Sequence, residues 1–307
     1  MKIIDGHAHV IERIAGFGAR GELRPIGKGR ARWANGEEIQ LIPAELGDKD
    51  FTGETLLSLM DRYGVEKAVL LQGSFYGFQN EYPHEVAVQY PDRFIAAGTF
   101  DPFCKESGRI LERLVHQMKL KVIKFEISSG GGLMGYHRQF ELDGEIFGDT
   151  FAEIAGSNAT LVMDLGSPGM GSFQVKAIAN IAKKYPAMKI VICHLLAPTL
   201  KDQYELEKGL KTLCLENVWF DLAAVPWNVA PERYPYPTAR GFIKLAKNIV
   251  GAEKLIWGTD VPSVLTRENY RNLIEYITGA GIFSTAELEA VFYKNAYSAY
   301  PLELEES

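Results

Sequence analysis

Two histidines stand one residue apart near the start of the chain, His7 and His9 in MKIIDGHAHV. In an extended strand, residues i and i+2 point to the same face, so both imidazoles would project from one surface. That geometry suits a metal ion. Later apolar runs carry or end in further titratable groups: Lys124 and Glu126, Asp164, His194, Asp221 and Asp260. Imidazole nitrogen and carboxylate oxygen suit Zn²⁺, Mn²⁺ or Fe²⁺, and a site without thiolates is of the catalytic kind, with an open position for water. For any one histidine the plain alternative is a hydrogen-bonded core residue. The pair, followed by a lone His and then an Asp at the ends of later runs, favours a site.

Such residues meet only if the intervening elements bring them together. Short β-branched runs lie at 2–9, 66–72, 93–99, 121–127, 159–165, 188–194, 217–222 and 254–260. Between them, apolar residues recur at helical spacing, as in Leu56, Leu59, Met60 and Tyr63, or Val175, Ile178, Ile181, Ala182 and Tyr185. Eight alternating units predict an α/β fold, a (β/α)₈ barrel, with an open doubly wound sheet as the alternative. No linker or low-complexity segment divides residues 1–307, so one domain is expected. In a barrel the C-terminal strand ends converge, and the polar residues above would line one pocket.

One interval is too long. Residues 11–51 form an insertion after strand 1, leaving from the face where barrel sites lie. Within 11–36, Arg13, Arg20, Arg24, Lys28, Arg30 and Arg32 outnumber Glu12 and Glu22. The stretch reads either as a solvated loop or as a basic lid that attracts an anion.

Composition bounds the partners. The net charge of −6 lacks the basic excess of a nucleic-acid surface and leaves small molecules as the expected ligands. No apolar run reaches membrane-spanning length and the N-terminus reads as a strand, so a cytoplasmic protein without a membrane partner is expected. Cys104, Cys193 and Cys214 have no ligand spacing and are expected to be buried apolar residues. An isologous homodimer is the assembly that symmetry favours.

The segments IDGHAH, VICHLL, GTD and KNAYSAY, in this order, resemble the amidohydrolase superfamily. The similarity is greatest to its amidohydrolase-related branch, which includes the aminocarboxymuconate-semialdehyde decarboxylase group, and it spans essentially the whole chain. It implies one divalent metal, Zn first and Mn or Fe otherwise, held by His7, His9, a strand-5 residue and Asp260, with His194 polarising the substrate. The strand-5 position, His in that family, is Asp164 here. The ligand is then Asp164, or His137 from the neighbouring loop, or the site binds metal poorly. By the same resemblance Lys124 is either a substrate contact or a carboxylated bridging lysine.

The resulting mechanism has a metal-activated water, Asp260 as general base and His194 as orienting group. Expected substrate contacts are Lys124, His137, Tyr76, Trp227 and Arg233, with further aromatics at Phe75, Phe78, Tyr234 and Tyr236. Asp221 reads equally as a turn cap, the three glycines 130–132 as loop mobility, and His84 and His116 as solvent-facing. These point to a hydrolase acting on a small anionic substrate, a cyclic or unsaturated carboxylic acid, lactone or amide. A non-oxidative decarboxylase of an aromatic or muconate-type acid uses the same ligands. A binding barrel with a degenerate metal site is the non-enzymatic reading.

Overall fold

Eight short buried segments recur along the chain, and in the computed structural model, which describes residues 1–302, they close into one barrel. The first is β1 (Ile4–Ala8). An antiparallel group follows: β2 (Gly16–Gly18), β3 (Gly21–Gly27), β4 (Arg30–Trp33) and β5 (Glu38–Gln40). The remaining barrel strands are β6 (Lys67–Leu70), β7 (Phe94–Ala96), β8 (Val122–Glu126), β9 (Thr160–Asp164), β10 (Ile190–Ile192), β11 (Val218–Asp221) and β12 (Leu255–Ile256). Parallel pairing runs β1–β6–β7 and β8–β9–β10–β11–β12. Two seams join these sheets. Gly98 donates to the Val122 carbonyl and its own carbonyl accepts from Lys124, both at 2.8 Å; Gly6 donates to Trp257 O at 2.9 Å and His9 to Val261 O at 3.0 Å. The fold is therefore the expected (β/α)₈ barrel with an insertion after strand 1.

Two cores hold it. Ile4, Val69, Leu71, Val122, Val162, Val191 and Ile256 point into the barrel, each buried side chain contributing about 1.5–3 kcal/mol. The last helical turn, Asn295–Ala299, caps the end where β9 begins: Thr160 Oγ1 donates to Ala299 O, and Tyr300 OH to Gly6 O. Gly6 itself must lack a side chain, because a Cβ there would come within 2.6 Å of Ile256 Cγ2. Outside the strands, amphipathic helices cover the barrel. Helix Gly53–Tyr63 starts where Thr52 Oγ1 accepts from Thr55 N and stops at Gly64, whose φ of 70° ends the helical run. It buries Leu56, Leu59 and Met60, as the spacing predicts.

The insertion departs from a loop. Ile11 and Phe51 pair at its base through backbone bonds of 2.7 and 2.8 Å, and β2–β5 form a four-stranded antiparallel sheet. Its cations are not a free basic lid. Arg20 pairs with Glu37, Arg24 with Glu22, and Arg30 and Arg32 both with Glu38, all on the exposed surface. Over residues 11–51 the seven Arg and Lys are matched by seven Asp and Glu, so the local excess in 11–36 is cancelled just beyond it. Two cysteines also differ from expectation: Cys104 and Cys214 are exposed, and only Cys193 is buried. Among the described residues no helix is long and apolar enough to cross a membrane.

Candidate metal centre and its cavity

The site is built from strand ends that stop early. β1 has a register irregularity between Asp5 and Ala8, and His7 within it and His9 just beyond it both turn inward, their ring centroids 5.1 Å apart. The run expected to end at His194 stops at Ile192. His194 to Ala197 then adopt left-handed φ values of 46–67° without a glycine, a conformation costing roughly 1–2 kcal/mol per residue. Hydrogen bonds hold this turn. His194 N donates to Asp221 Oδ1 at 2.8 Å, its Nδ1 donates to Ala223 O at 3.1 Å, and Leu195 and Leu196 are buried beneath. Asp260 is likewise left-handed, with φ 65°, and its N–H donates to His7 O at 2.7 Å.

These supports bring three donors together. His7, His9 and Asp260 each offer a ligand atom within 4.8 Å of the others. His9 Nε2 is 3.0 Å from Asp260 Oδ1, and His7 Nε2 is 3.5 Å from the same oxygen. Asp221 accepts from His7 Nδ1 at 2.9 Å, which leaves the lone pair of that ring on Nε2. Burial holds His7 well below the ordinary histidine range, and Lys124 adds to this; burial also lowers His9. Burial would raise Asp260, but the His9 hydrogen bond and the charges of His194 and His7 outweigh it and hold the carboxyl below the usual range. Two neutral imidazoles and an ionised carboxylate are a donor set that fits a borderline divalent cation.

A cavity of about 280 Å³ opens above them. Its wall includes His9, His194, Asp260, Lys124, Glu126 and Asp164, with Phe75, Tyr76, Trp227 and Asn228 on the aromatic side and Ile39, Gln40 and Leu41 from the insertion. Lys124 Nζ lies 3.5 Å from His7 Nε2; burial lowers its pKa, but Cys193, Glu126 and the aspartates more than restore it. Burial pushes Glu126 up to about 7 against the pull of Lys124, and Phe75 N donates to it at 3.0 Å. His194 is raised because Asp260, Asp164 and Asp221 together outweigh the burial that would lower it.

Of the residues singled out from sequence, Tyr76, Trp227 and Lys124 line the cavity with His9, Asp260 and His194, while His7 is fully buried and not among the lining residues. Asp164 lines it too, 3.8 Å from His194 Nε2 and accepting from Gly166 N, but it is outside the compact donor set. His137 is not among the lining residues: its Nε2 pairs with Asp101 Oδ2 at 2.7 Å beside the Phe103 and Tyr136 rings. Arg233 is exposed on the loop after β11 and also lies off the cavity. His84 is half-buried and His116 is exposed on Glu153.

Three supporting residues play parts that sequence did not assign. Asp221, named there among the strand-end polar groups or as a turn cap, fastens His7 and the His194 turn at once. Asp5 is wholly buried and accepts from His7 N, Thr259 N and Thr259 Oγ1 at 3.1, 2.9 and 2.6 Å, tying β1 to the Asp260 loop. Its position in IDGHAH was the available signal. Asn228 places a buried, unpartnered Nδ2 in the cavity wall, and nothing in its sequence context marks it.

Comparison with known proteins gives a consistent picture of the fold. A crystal structure of a probable 2-pyrone-4,6-dicarboxylic acid hydrolase from Acinetobacter baumannii, with citric acid bound, is similar at 18% identity, covering 98% of this chain and all of that one with a TM-score of 0.73. An amidohydrolase from Burkholderia multivorans with bound zinc superposes at 17% identity over 99% of this chain and all of the other, with a TM-score of 0.74. The 5-carboxyvanillate decarboxylase of Sphingomonas paucimobilis matches at 16% identity, 80% of this chain and 82% of its own, with a TM-score of 0.57. Curated proteins provide no significant sequence match. The amidohydrolase family model matches residues 4–302, and the chain is a member of that family.

Proposed function

We propose that this protein is a metal-dependent hydrolase of a small planar carboxylic acid, lactone or amide. The observation that carries the reading is the compact His7, His9 and Asp260 set, of which His9 and Asp260 line the cavity together with His194. Zn²⁺ is the cation that two imidazoles and a carboxylate favour, with Mn²⁺ or Fe²⁺ next. When bound, such a cation supplies Lewis acidity and lowers the pKa of water.

The chain's own groups divide the remaining work. Asp260 Oδ1 faces both histidines, so Oδ2 is the acceptor for a proton of the attacking water. His194 donates its Nδ1–H to Ala223 O, and with Asp164 Oδ2 beside Nε2 it is the group placed to donate a proton from Nε2 to the substrate carbonyl oxygen. Asp164 at 3.8 Å holds that imidazolium in place. The Lys124 ammonium meets a substrate carboxylate, while Tyr76 and Trp227 flank a flat ring. Hydrolysis is placed before decarboxylation because the probable pyrone-dicarboxylic acid hydrolase is similar along nearly the full chain, the decarboxylase over four fifths.

The test is a panel of lactones, amides and aromatic carboxylic acids offered to metal-free and Zn²⁺-loaded protein, with Asp260→Asn beside them. Hydrolysis that depends on the metal and is lost in Asp260→Asn supports the reading. Release of CO₂ instead would favour the carboxy-lyase. Metal-independent turnover, or binding without turnover in every case, would overturn the proposal.

A further inference from the structure

The mechanism leaves one buried nucleophile unused. Cys193 follows β10 directly, is 2% exposed, and packs against the barrel-interior residues Val122, Val162 and Val191. Its Sγ lies within 4.8 Å of a ring nitrogen of both His7 and His194, and those two nitrogens are equally close to each other. The two rings are 4.7 Å apart and tilted by 30°. Tetrahedral coordination at about 2.0–2.3 Å puts donors roughly 3.3–3.8 Å apart, so these three must close in by up to about 1.5 Å.

We propose that Cys193, His7 and His194 form a second cation position, selective for ions softer than Zn²⁺ such as Cd²⁺ or Cu⁺, that competes with the His7, His9 and Asp260 set. The inference rests on the metal-centre reading above and extends it. Thiolate is the soft donor of the pair of sets and carboxylate the hard one, so Mn²⁺ stays with Asp260 while thiophilic ions are drawn to Cys193. A neutral imidazole has one lone pair, so His7 serves one cation at a time. In the absence of a cation, burial holds the thiol protonated. On binding, the S–H bond breaks and an S–metal bond forms, His194 gives up its Nε2 proton so that this nitrogen can ligate, and both protons leave to solvent; no oxidant is required. A cation seated there also removes His194 from its place opposite Asp260, so excess thiophilic metal inhibits.

The test uses Cd²⁺ alone on metal-free protein in which the exposed Cys104 and Cys214 are changed to serine. Any sulfur-to-cadmium charge-transfer band then comes from Cys193, whether or not the Cys193→Ser control folds. The expected result is a stoichiometric band that persists in Asp260→Asn, where the first set is broken, and is suppressed by prior saturation with Mn²⁺. Cadmium bound without a thiolate band overturns this inference and leaves the first site standing. A band lost in Asp260→Asn means one merged site and overturns it as well. No binding of Cd²⁺ or Mn²⁺ overturns both readings.

Discussion

The insertion sheet and the barrel mouth are both rich in charge, yet they use it in opposite ways. In the insertion, Arg32 and Glu38 pair across six residues of sequence, at the surface, each about half exposed or slightly less. At the mouth, His7 pairs with Asp221 across 214 residues and His9 with Asp260 across 251, with both imidazoles buried. Water screens the first kind of pair, and its net worth is small. The second kind is left to protein groups alone, and pKa values shift accordingly. Charge count in a window therefore says little about a site; the distance in sequence between partners says more.

The comparison breaks most visibly if a mouth residue behaves like a surface residue. Changing His7 to Ala removes a donor common to both cation positions. Supporting partners of metal ligands are worth about 10–100-fold in affinity, so loss of a ligand itself is expected to exceed about 100-fold. Equilibrium dialysis against Zn²⁺ measures it; affinity unchanged in His7→Ala would end the metal reading. Asp5 comes next. Its carboxyl, pushed up to about 7 by burial, accepts two backbone N–H groups and the Thr259 hydroxyl. Asp5→Ala leaves these donors buried without a partner, a loss of about 3–5 kcal/mol that urea unfolding reads directly. A loss below about 1 kcal/mol would mean that the Asp260 loop is held by something else.

Asp221→Asn sharpens the same contrast at smaller scale. Asparagine keeps the shape and can still accept from His7 Nδ1, but the negative charge that supports ligand basicity is gone. Zinc affinity is expected to fall about tenfold, with the unfolding midpoint little changed. Equal falls in affinity and stability would make Asp221 a turn cap and nothing more.

How far sequence foresaw this molecule follows the same division. All eight barrel strands lie inside the apolar runs, because parallel strands are buried on both faces and read as continuous hydrophobic segments. The HxH pair and the distant His and Asp were also visible, since their types and order are local facts. The His194 turn was not. Left-handed residues usually announce themselves as Gly or Asn, whereas here His, Leu, Leu and Ala are forced into that region by Asp221, Ala223 and the packing below. Of the two readings of the insertion, the ion pairs favour the solvated surface, because Glu37 and Glu38, the partners of Arg20, Arg30 and Arg32, lie just beyond the arginine-rich stretch 11–36. His137, the alternative ligand, has its Nε2 paired with Asp101, 36 residues away, a partner that its own loop does not reveal.

The smallest predicted effect tests the surface half of the comparison. The Arg32 hydrogen bond holds the Glu38 carboxyl below its usual range, with Arg32 and Arg30 charge adding to it, so the pair is ionised at neutral pH. An exposed ionised pair is screened within a Debye length of about 10 Å at 0.1 M salt and about 3 Å at 1 M. A double-mutant cycle of Arg32→Ala and Glu38→Gln should therefore show a small coupling at low salt that vanishes at high salt, while zinc affinity stays within about twofold of the unmodified protein. Coupling that survives high salt would mean that the sheet is more sealed than its exposure implies. A large change in ligand affinity would instead return the insertion's arginines to the role of an electrostatic lid, acting at a distance from a cavity they do not line.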